Sequence, residues 1–184
     1  MLFFSVQRVT SYFTKRGSCV YLSSLDASKA FDRVTHAKLF DKLANRNVPH
    51  CLLRVLHNWY NKLVSVVKWN GVLSKSFVVS CGVRQGGVLS PFLFNLYVDE
   101  LIYELEASDA GCCVCGKFFG CIMYADDLLL LSASVSGLQY MLDICYKFGV
   151  ENDIMFNQKK ICLYQDRTSL EQTYISNGFR QYEP

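Results

Sequence analysis

The stretch Cys121 to Leu131 reads CIMYADDLLLL. It sets two adjacent aspartates, Asp126 and Asp127, among residues that are otherwise uncharged and mostly apolar. A run of this length is too short to span a membrane and reads as a buried strand or strand pair. Burying one carboxylate is costly unless it is paired, hydrogen-bonded or bound to a metal, and two side by side also repel each other. The pair therefore points to a cation site. The plain alternative is a solvated hairpin tip, where Asp is a common turn residue.

Working outward, Lys117–Tyr124 and Leu128–Leu131 read as a β-hairpin with the aspartates at its tip, preceded by a glycine- and cysteine-rich turn over Gly111–Gly116. Downstream, a helix begins at Ser136, buries Leu138, Met141, Leu142, Cys145 and Phe148, and closes at Gly149. Short strands Ile154–Phe156 and Ile161–Tyr164 then flank Asn157–Lys160, and Gln165–Pro184 is a polar tail. Upstream, Ser90-Pro91 forms an N-cap and N1 pair for a helix burying Leu93, Leu96, Tyr97, Leu101 and Leu105. Before it lies the glycine loop SCGVRQGGVLSP, which demands unusual backbone angles or close approach to a ligand. Asn70-Gly71, between Val64–Trp69 and Val72–Val79, is a strong hairpin signal. A helix from about Pro49 carries the stripe Leu52, Val55, Leu56, Trp59, Tyr60 and Leu63, and in another Ala37, Phe40, Leu43 and Ala44 fall on one face. Cys19–Leu25 reads as a strand ending at Asp26, and residues 1–17 carry little signal. The order of elements is α+β, with the aspartates on a hairpin rather than a βαβ crossover.

Composition agrees with a folded, well-buried chain. Of its 184 residues 51% are hydrophobic and 19% charged, enough for one core of ordinary size. A net charge of +3 is no global basic field, so any nucleic-acid contact is local. Nine cysteines without a secretory signal favour a reducing, intracellular compartment; nucleus and cytoplasm are not distinguished, and no membrane span is expected. Cys112, Cys113, Cys115 and Cys121 include one C-x₂-C pair but no second, so small residues in a hairpin are preferred to a zinc site. His36, His50 and His57 show no ligand spacing and read as surface or satisfied core groups.

Asp26, at the end of another strand, is the candidate third carboxylate. Three carboxylates with a backbone carbonyl suit Mg²⁺, which prefers oxygen ligands and shares its shell with substrate phosphates. Two such ions about 3.5–4 Å apart suit an in-line phosphoryl displacement. The Gly82–Gly87 loop, with Arg84 and Gln85, offers donors to a nucleotide, and Lys160 a proton or charge for a leaving pyrophosphate.

Four ordered segments, LDASKAFDRVTHAKL, GVRQGGVLSPFLFNLYVDEL, YADDLLLLS and FNQKK, resemble the successive motifs of a reverse transcriptase palm. The resemblance is to the non-long-terminal-repeat (LINE-like) retrotransposon branch and covers residues 18–164. It implies a right-hand polymerase palm, a ferredoxin-like antiparallel sheet packed on helices, with partial fingers, a remnant N-terminal segment over 1–17 and a tail over 165–184. It implies that Asp26 and Asp126 are the principal ligands of two Mg²⁺ or Mn²⁺ ions, with Asp127 and the Ala27 carbonyl completing the set. Phe31 becomes the steric gate against a ribose 2′-hydroxyl. Gln85 and Gly86 line the nucleotide pocket beside Arg84, and Lys160, by its spacing from Asn157, is the catalytic lysine. The partners implied are an RNA template, a DNA primer and deoxynucleoside triphosphates; oligomeric state is left open. Against the family pattern, finger motifs before Cys19 are reduced to a remnant, and thumb and endonuclease are missing. The alternatives are an inactive retroelement remnant that at most binds nucleic acid and an RNA-dependent RNA polymerase, which would carry a polar residue in place of Phe31. Asp32 reads as structural, pairing with Arg33 or capping the next helix.

Overall fold

The structure, a computed structural model, describes residues 2–165 and 169–171, with side chains over residues 4–157. In chain order its elements begin α1 (Leu2–Thr14), β1 (Val20–Ser28), α2 (Ala30–Arg33), α3 (His36–Asn45), α4 (His50–Tyr60), β2 (Val64–Ser65), β3 (Lys68–Trp69), β4 (Val72–Leu73) and β5 (Phe77–Val78). They continue α5 (Ser90–Ala107), β6 (Cys113–Val114), β7 (Lys117–Phe118), β8 (Cys121–Tyr124), β9 (Asp127–Ser132), α6 (Val135–Asn152), β10 (Met155–Gln165) and β11 (Ser169–Glu171). Two compact units result, one from Met1–Ser28 with Asp99–Pro184 and one from Lys29–Val98. None of the described helices is long and apolar enough to cross a membrane.

The first unit holds a five-stranded sheet in the order β11-β10-β1-β9-β8, with every neighbouring pair antiparallel. The run β1–α5–β8–β9–α6–β10 with the order β10-β1-β9-β8 is the ferredoxin-like arrangement expected from the motifs. Alternation along β1 explains its burial. Leu25 and Ala27 point to one face and are buried, whereas Asp26 and Ser28 point to the other and are half-buried. At the opposite end of β1 that second face is closed, because Val20 and Leu22 pack with Val9 of α1, Cys112 and Leu131. Helix α1 thus covers one end of the face and leaves the carboxylate end polar. Ser23 is fully buried, and its hydroxyl has no hydrogen-bond partner among the described residues.

Several local expectations change here. Residues 2–14, for which the sequence offered little, are a helix whose Val9 is core. Lys117–Tyr124 is two strands, since Lys117–Phe118 pairs back onto Cys113–Val114 and only Cys121–Tyr124 pairs with β9. The two short strands around Asn157–Lys160 are one 11-residue strand. Pairing along the whole length of β1 carries it through, with a bulge between Ser24 and Leu25 absorbing the extra residue. The tail is not featureless, as Ser169–Glu171 pairs with β10. Helix α6 is capped by Ser134, whose Oγ accepts the Gly137 N–H at 3.0 Å, and it runs past Gly149 to Asn152. Gly149 serves close approach rather than termination, because a Cβ there would lie 2.5 Å from the Ile154 carbonyl oxygen. Asp153, at φ +59°, closes the helix.

In the second unit, α3 and α4 meet through rings: His36 and Phe40 stand edge-on to the buried Tyr60 at 4.8 and 5.8 Å. Helix α4 buries only Leu56 and Tyr60. Leu52, Val55 and Trp59 of the expected stripe are exposed, and Leu63 is half-buried. The hairpin forms as expected, β3 pairing with β4 and β2 with β5, and both turn residues have positive φ, Asn70 +45° and Gly71 +81°. Its strands are short and exposed except at the half-buried Ser65. Helix α5 starts in this unit at Ser90, whose hydroxyl donates to the Arg84 carbonyl instead of capping. It buries Leu93, Phe94, Tyr97 and Val98 here and Leu101 and Leu105 in the first unit, with Leu96 only half-buried.

Candidate catalytic site

The turn between β8 and β9 is Ala125–Asp126, closed by the Tyr124–Asp127 pair. Asp127 is therefore the first residue of a strand, and of the two aspartates only Asp126 is in the turn. Asp126 is half-buried and Asp127 exposed, so the run is apolar because Leu128, Leu130 and Leu131 are core, not because the carboxylates are buried. Ala125 has φ +52°, the left-handed region that costs a non-glycine residue about 1–2 kcal/mol. Ala125→Gly is expected to raise stability by about 1 kcal/mol, read from the urea midpoint at unchanged m-value.

Strand β1 completes the site. Asp26 stands directly opposite Asp127 on one side and Asn157 on the other, so a single row across the sheet runs Asn157, Asp26, Asp127, Tyr124. Direct cross-strand partners share a face, with Cβ atoms about 4.5–5.5 Å apart. The Ala27 N–H donates to the Asp126 carbonyl oxygen at 2.9 Å, tying the turn to the strand that carries Asp26. Asn157 donates from Nδ2 to the Ser28 hydroxyl, fastening β10 to the end of β1. Behind the row, Leu25, Ala27 and Leu128 are buried and hold the register. Three carboxylates thus gather at one end of the sheet. Among the described residues no three His, Cys, Asp or Glu side chains are near enough together to hold one ion, so the backbone brings the set to one edge without closing it into a cage. Its chemistry is all hard oxygen, and like charges facing each other across strands are destabilising unless a cation offsets them. That donor set fits a divalent ion.

Lys160 is the register partner of Ser24, two residues before Asp26, and Gln158 that of Leu25; the bulge falls on Lys159. The backbone thus distinguishes Lys160 from Lys159, while the lysine side chain lies outside the described residues.

In the second unit, Phe31 is half-buried and stacks on Phe94, ring centroids 4.8 Å apart and planes 27° from parallel. The glycine loop is stitched to the segment around it. Gly82 N–H donates to the Val34 carbonyl at 2.8 Å and Val83 N–H to the Phe31 carbonyl at 2.7 Å. His36 Nε2 lies 2.8 Å from the Gly82 carbonyl, so this histidine is a structural strut. Gly82 has φ +89°, and a Cβ would come within 3.1 Å of the Asp32 backbone, so only glycine fits. Asp32, read from sequence as a cap or a partner of Arg33, accepts a hydrogen bond from Gln85 Nε2 at 3.3 Å and so orients a residue of the glycine loop. Arg84, Gln85 and Gly86 are exposed and line a cleft of about 360 Å³ with Trp59, Tyr60 and Leu63. Sequence reasoning gave Asp32 and Trp59 no place beside this loop. The pattern Asp-x₅₂-Gln carries no signal, and Trp59 was absorbed into an apolar stripe.

The cysteines divide by burial. Cys112 sits in the core cluster, Cys113 and Cys115 are exposed, and Cys145 is buried on α6. Burial, with Cys113 beside it, pushes the Cys112 thiol up to about 12, and burial with the charge of Glu106 pushes Cys121 up to about 11. Cys145 shifts the same way. A metal site would need these groups as thiolates. Because the unfolded thiols ionise near 9.0 and the folded ones later, stability is whole below pH 9 and falls as pH rises toward 11–12. Urea midpoints at pH 8 and pH 10.5 check this, the second being lower.

Comparison with known proteins identifies the family. The profile of the family described as "Reverse transcriptase (RNA-dependent DNA polymerase)" matches residues 3–175. The chain is 38% identical over 126 residues to the Pol polyprotein of the type-2 retrotransposable element R2DM of Drosophila melanogaster, covering 68% of this chain and 12% of that protein. It is 29% identical over 147 residues to the RNA-directed DNA polymerase from mobile element jockey of the same fly, covering 74% and 15%. The chain thus spans about an eighth of the length of these relatives. Telomerase of Candida tropicalis, solved with a fragment of telomeric RNA, shares the fold at a TM-score of 0.66 and 13% identity, covering 89% of this chain and 28% of that one. With its motifs in order, its palm topology and these relatives, the chain belongs to the reverse transcriptase family, in the non-long-terminal-repeat retrotransposon branch.

Proposed function

We propose that this chain carries the catalytic centre of an RNA-directed DNA polymerase, which adds deoxynucleotides to a primer 3′-hydroxyl along an RNA template and releases pyrophosphate. The observation that carries the reading is the register pair Asp26–Asp127, with Asp126 in the turn bonded to Ala27. Asp26 and Asp126, helped by Asp127 and the Ala27 carbonyl, hold divalent ions. Bound Mg²⁺ or Mn²⁺, two ions in all, supplies the Lewis acidity and charge neutralisation that phosphoryl transfer requires. Phe31, held flat against Phe94, excludes a ribose 2′-hydroxyl and so selects deoxynucleotides. Gln85, its amide oriented by Asp32, and the Gly86 backbone bind the nucleotide beside the Arg84 guanidinium. Lys160 delivers a proton or positive charge to the departing pyrophosphate. Positioning and charge, not covalent chemistry, supply the rate.

Primer extension on an RNA template with Mg²⁺ or Mn²⁺ tests this. The unmodified chain is expected to extend and Asp126→Asn to lose at least about 100-fold, on the scale of removing one electrostatic stabiliser. Extension that survives Asp126→Asn overturns the metal assignment. A chain inert throughout supports the remnant reading.

A further inference from the structure

His50, Arg54 and His57 stand at i, i+4 and i+7 on α4, hence on one helical face. They rim a cleft of about 380 Å³ whose other walls are Phe40 and Ala44 of α3 and Leu53 of α4. That volume is in the range of small-ligand sites, roughly 300–1,000 Å³. None of the lining residues is acidic, and the floor is apolar. His57 is held in place, edge-on to Phe40 at 5.1 Å, with its Nδ1 3.0 Å from the Asn61 amide nitrogen. That contact engages Nδ1 and leaves Nε2 as the ring nitrogen available to a ligand. The cleft therefore presents one permanent cation, imidazole nitrogens and an aromatic ring. This chemistry suits an anion with a flat apolar body. A single guanidinium matches one phosphodiester and falls well short of a triphosphate.

We propose that this cleft is a second polynucleotide contact, distinct from the catalytic row, which holds one phosphodiester of a single strand on Arg54, His50 and His57 with its base against Phe40. Choosing a strand over a free phosphate rests on the polymerase reading above. Aromatic and basic groups in one groove are the usual means of sequence-tolerant single-strand binding.

The test is binding of a labelled single-stranded oligouridine RNA to the full chain, in EDTA, across a range of salt concentrations. Arg54→Gln, an exposed position, should weaken binding and reduce the slope of log K against log salt by about 0.7, the loss of one phosphate contact. Arg54→Lys should restore the slope. Phe40→Leu should weaken binding roughly 5- to 100-fold at unchanged slope, the scale of one stacked base. An unchanged slope in Arg54→Gln overturns the proposal, whatever Phe40→Leu does to folding. Uridine monophosphate or inorganic phosphate competing as well as the oligomer also overturns it, since the cleft would then be a small-anion site. A chain that extends no primer yet shows the Arg54 slope change would fail as a polymerase and keep this site.

Discussion

Asp26→Asn is expected to abolish primer extension, by at least about 100-fold, while leaving the folded chain as stable as before or slightly more so. The two halves of this result have one cause. Asp26 and Asp127 are direct partners on adjacent strands, on a face where half-exposed polar groups end a row. Like charges so placed cost about 0.2–1 kcal/mol relative to a neutral pair, and asparagine keeps the shape while removing one charge. If the carboxylates were simply cap or turn residues, losing one would cost stability and leave nucleotidyl transfer untouched. Paired melting curves and extension rates of Asp26→Asn separate the two. A stability loss of several kcal/mol with activity retained would mean that the row is structural.

Leu128→Ala should do the reverse, costing about 2–5 kcal/mol of stability. Leu128 is fully buried, lies opposite Leu25 on β1, and is the residue immediately after Asp127. It fixes which face of β9 is core. A slip of one residue would turn Asp127 inward and the leucine outward, so burial of Leu128 is what keeps the carboxylate out. The loss is read from the urea midpoint. A cost under about 0.5 kcal/mol would place Leu128 outside the core.

What could be read in advance was local or carried by motifs. Asn70-Gly71 announced its hairpin because both turn residues need positive φ, a property of two residues alone. The bodies of α5 and α6 followed from apolar periodicity, whereas α3 forms where expected but buries Leu39, Lys42 and Leu43 and leaves Ala37 and Ala44 of the expected face exposed. Errors arose where a long-range partner overrode a local signal. Gly149 looks like a stop, yet it is glycine because Ile154 returns against it. Asn157–Lys160 looks like a break between strands, yet pairing to β1 carries the strand through. The α4 stripe looks like a core face, yet only Leu56 and Tyr60 are buried, Leu63 is half-buried and Leu52, Val55 and Trp59 are exposed.

By itself the sequence determined the family and the ferredoxin-like class of the first unit, because these depend on residue type and order, and it singled out Asp26, Asp126 and Asp127 as the candidate carboxylates. The tertiary structure alone decided that Asp127 is a strand residue facing Asp26, that Asp32 orients Gln85, and that Lys160 rather than Lys159 is in register with Ser24. The physical reason is that register and bulges are set by pairing between strands far apart in the chain. A one-residue difference there moves a side chain from one face of the sheet to the other.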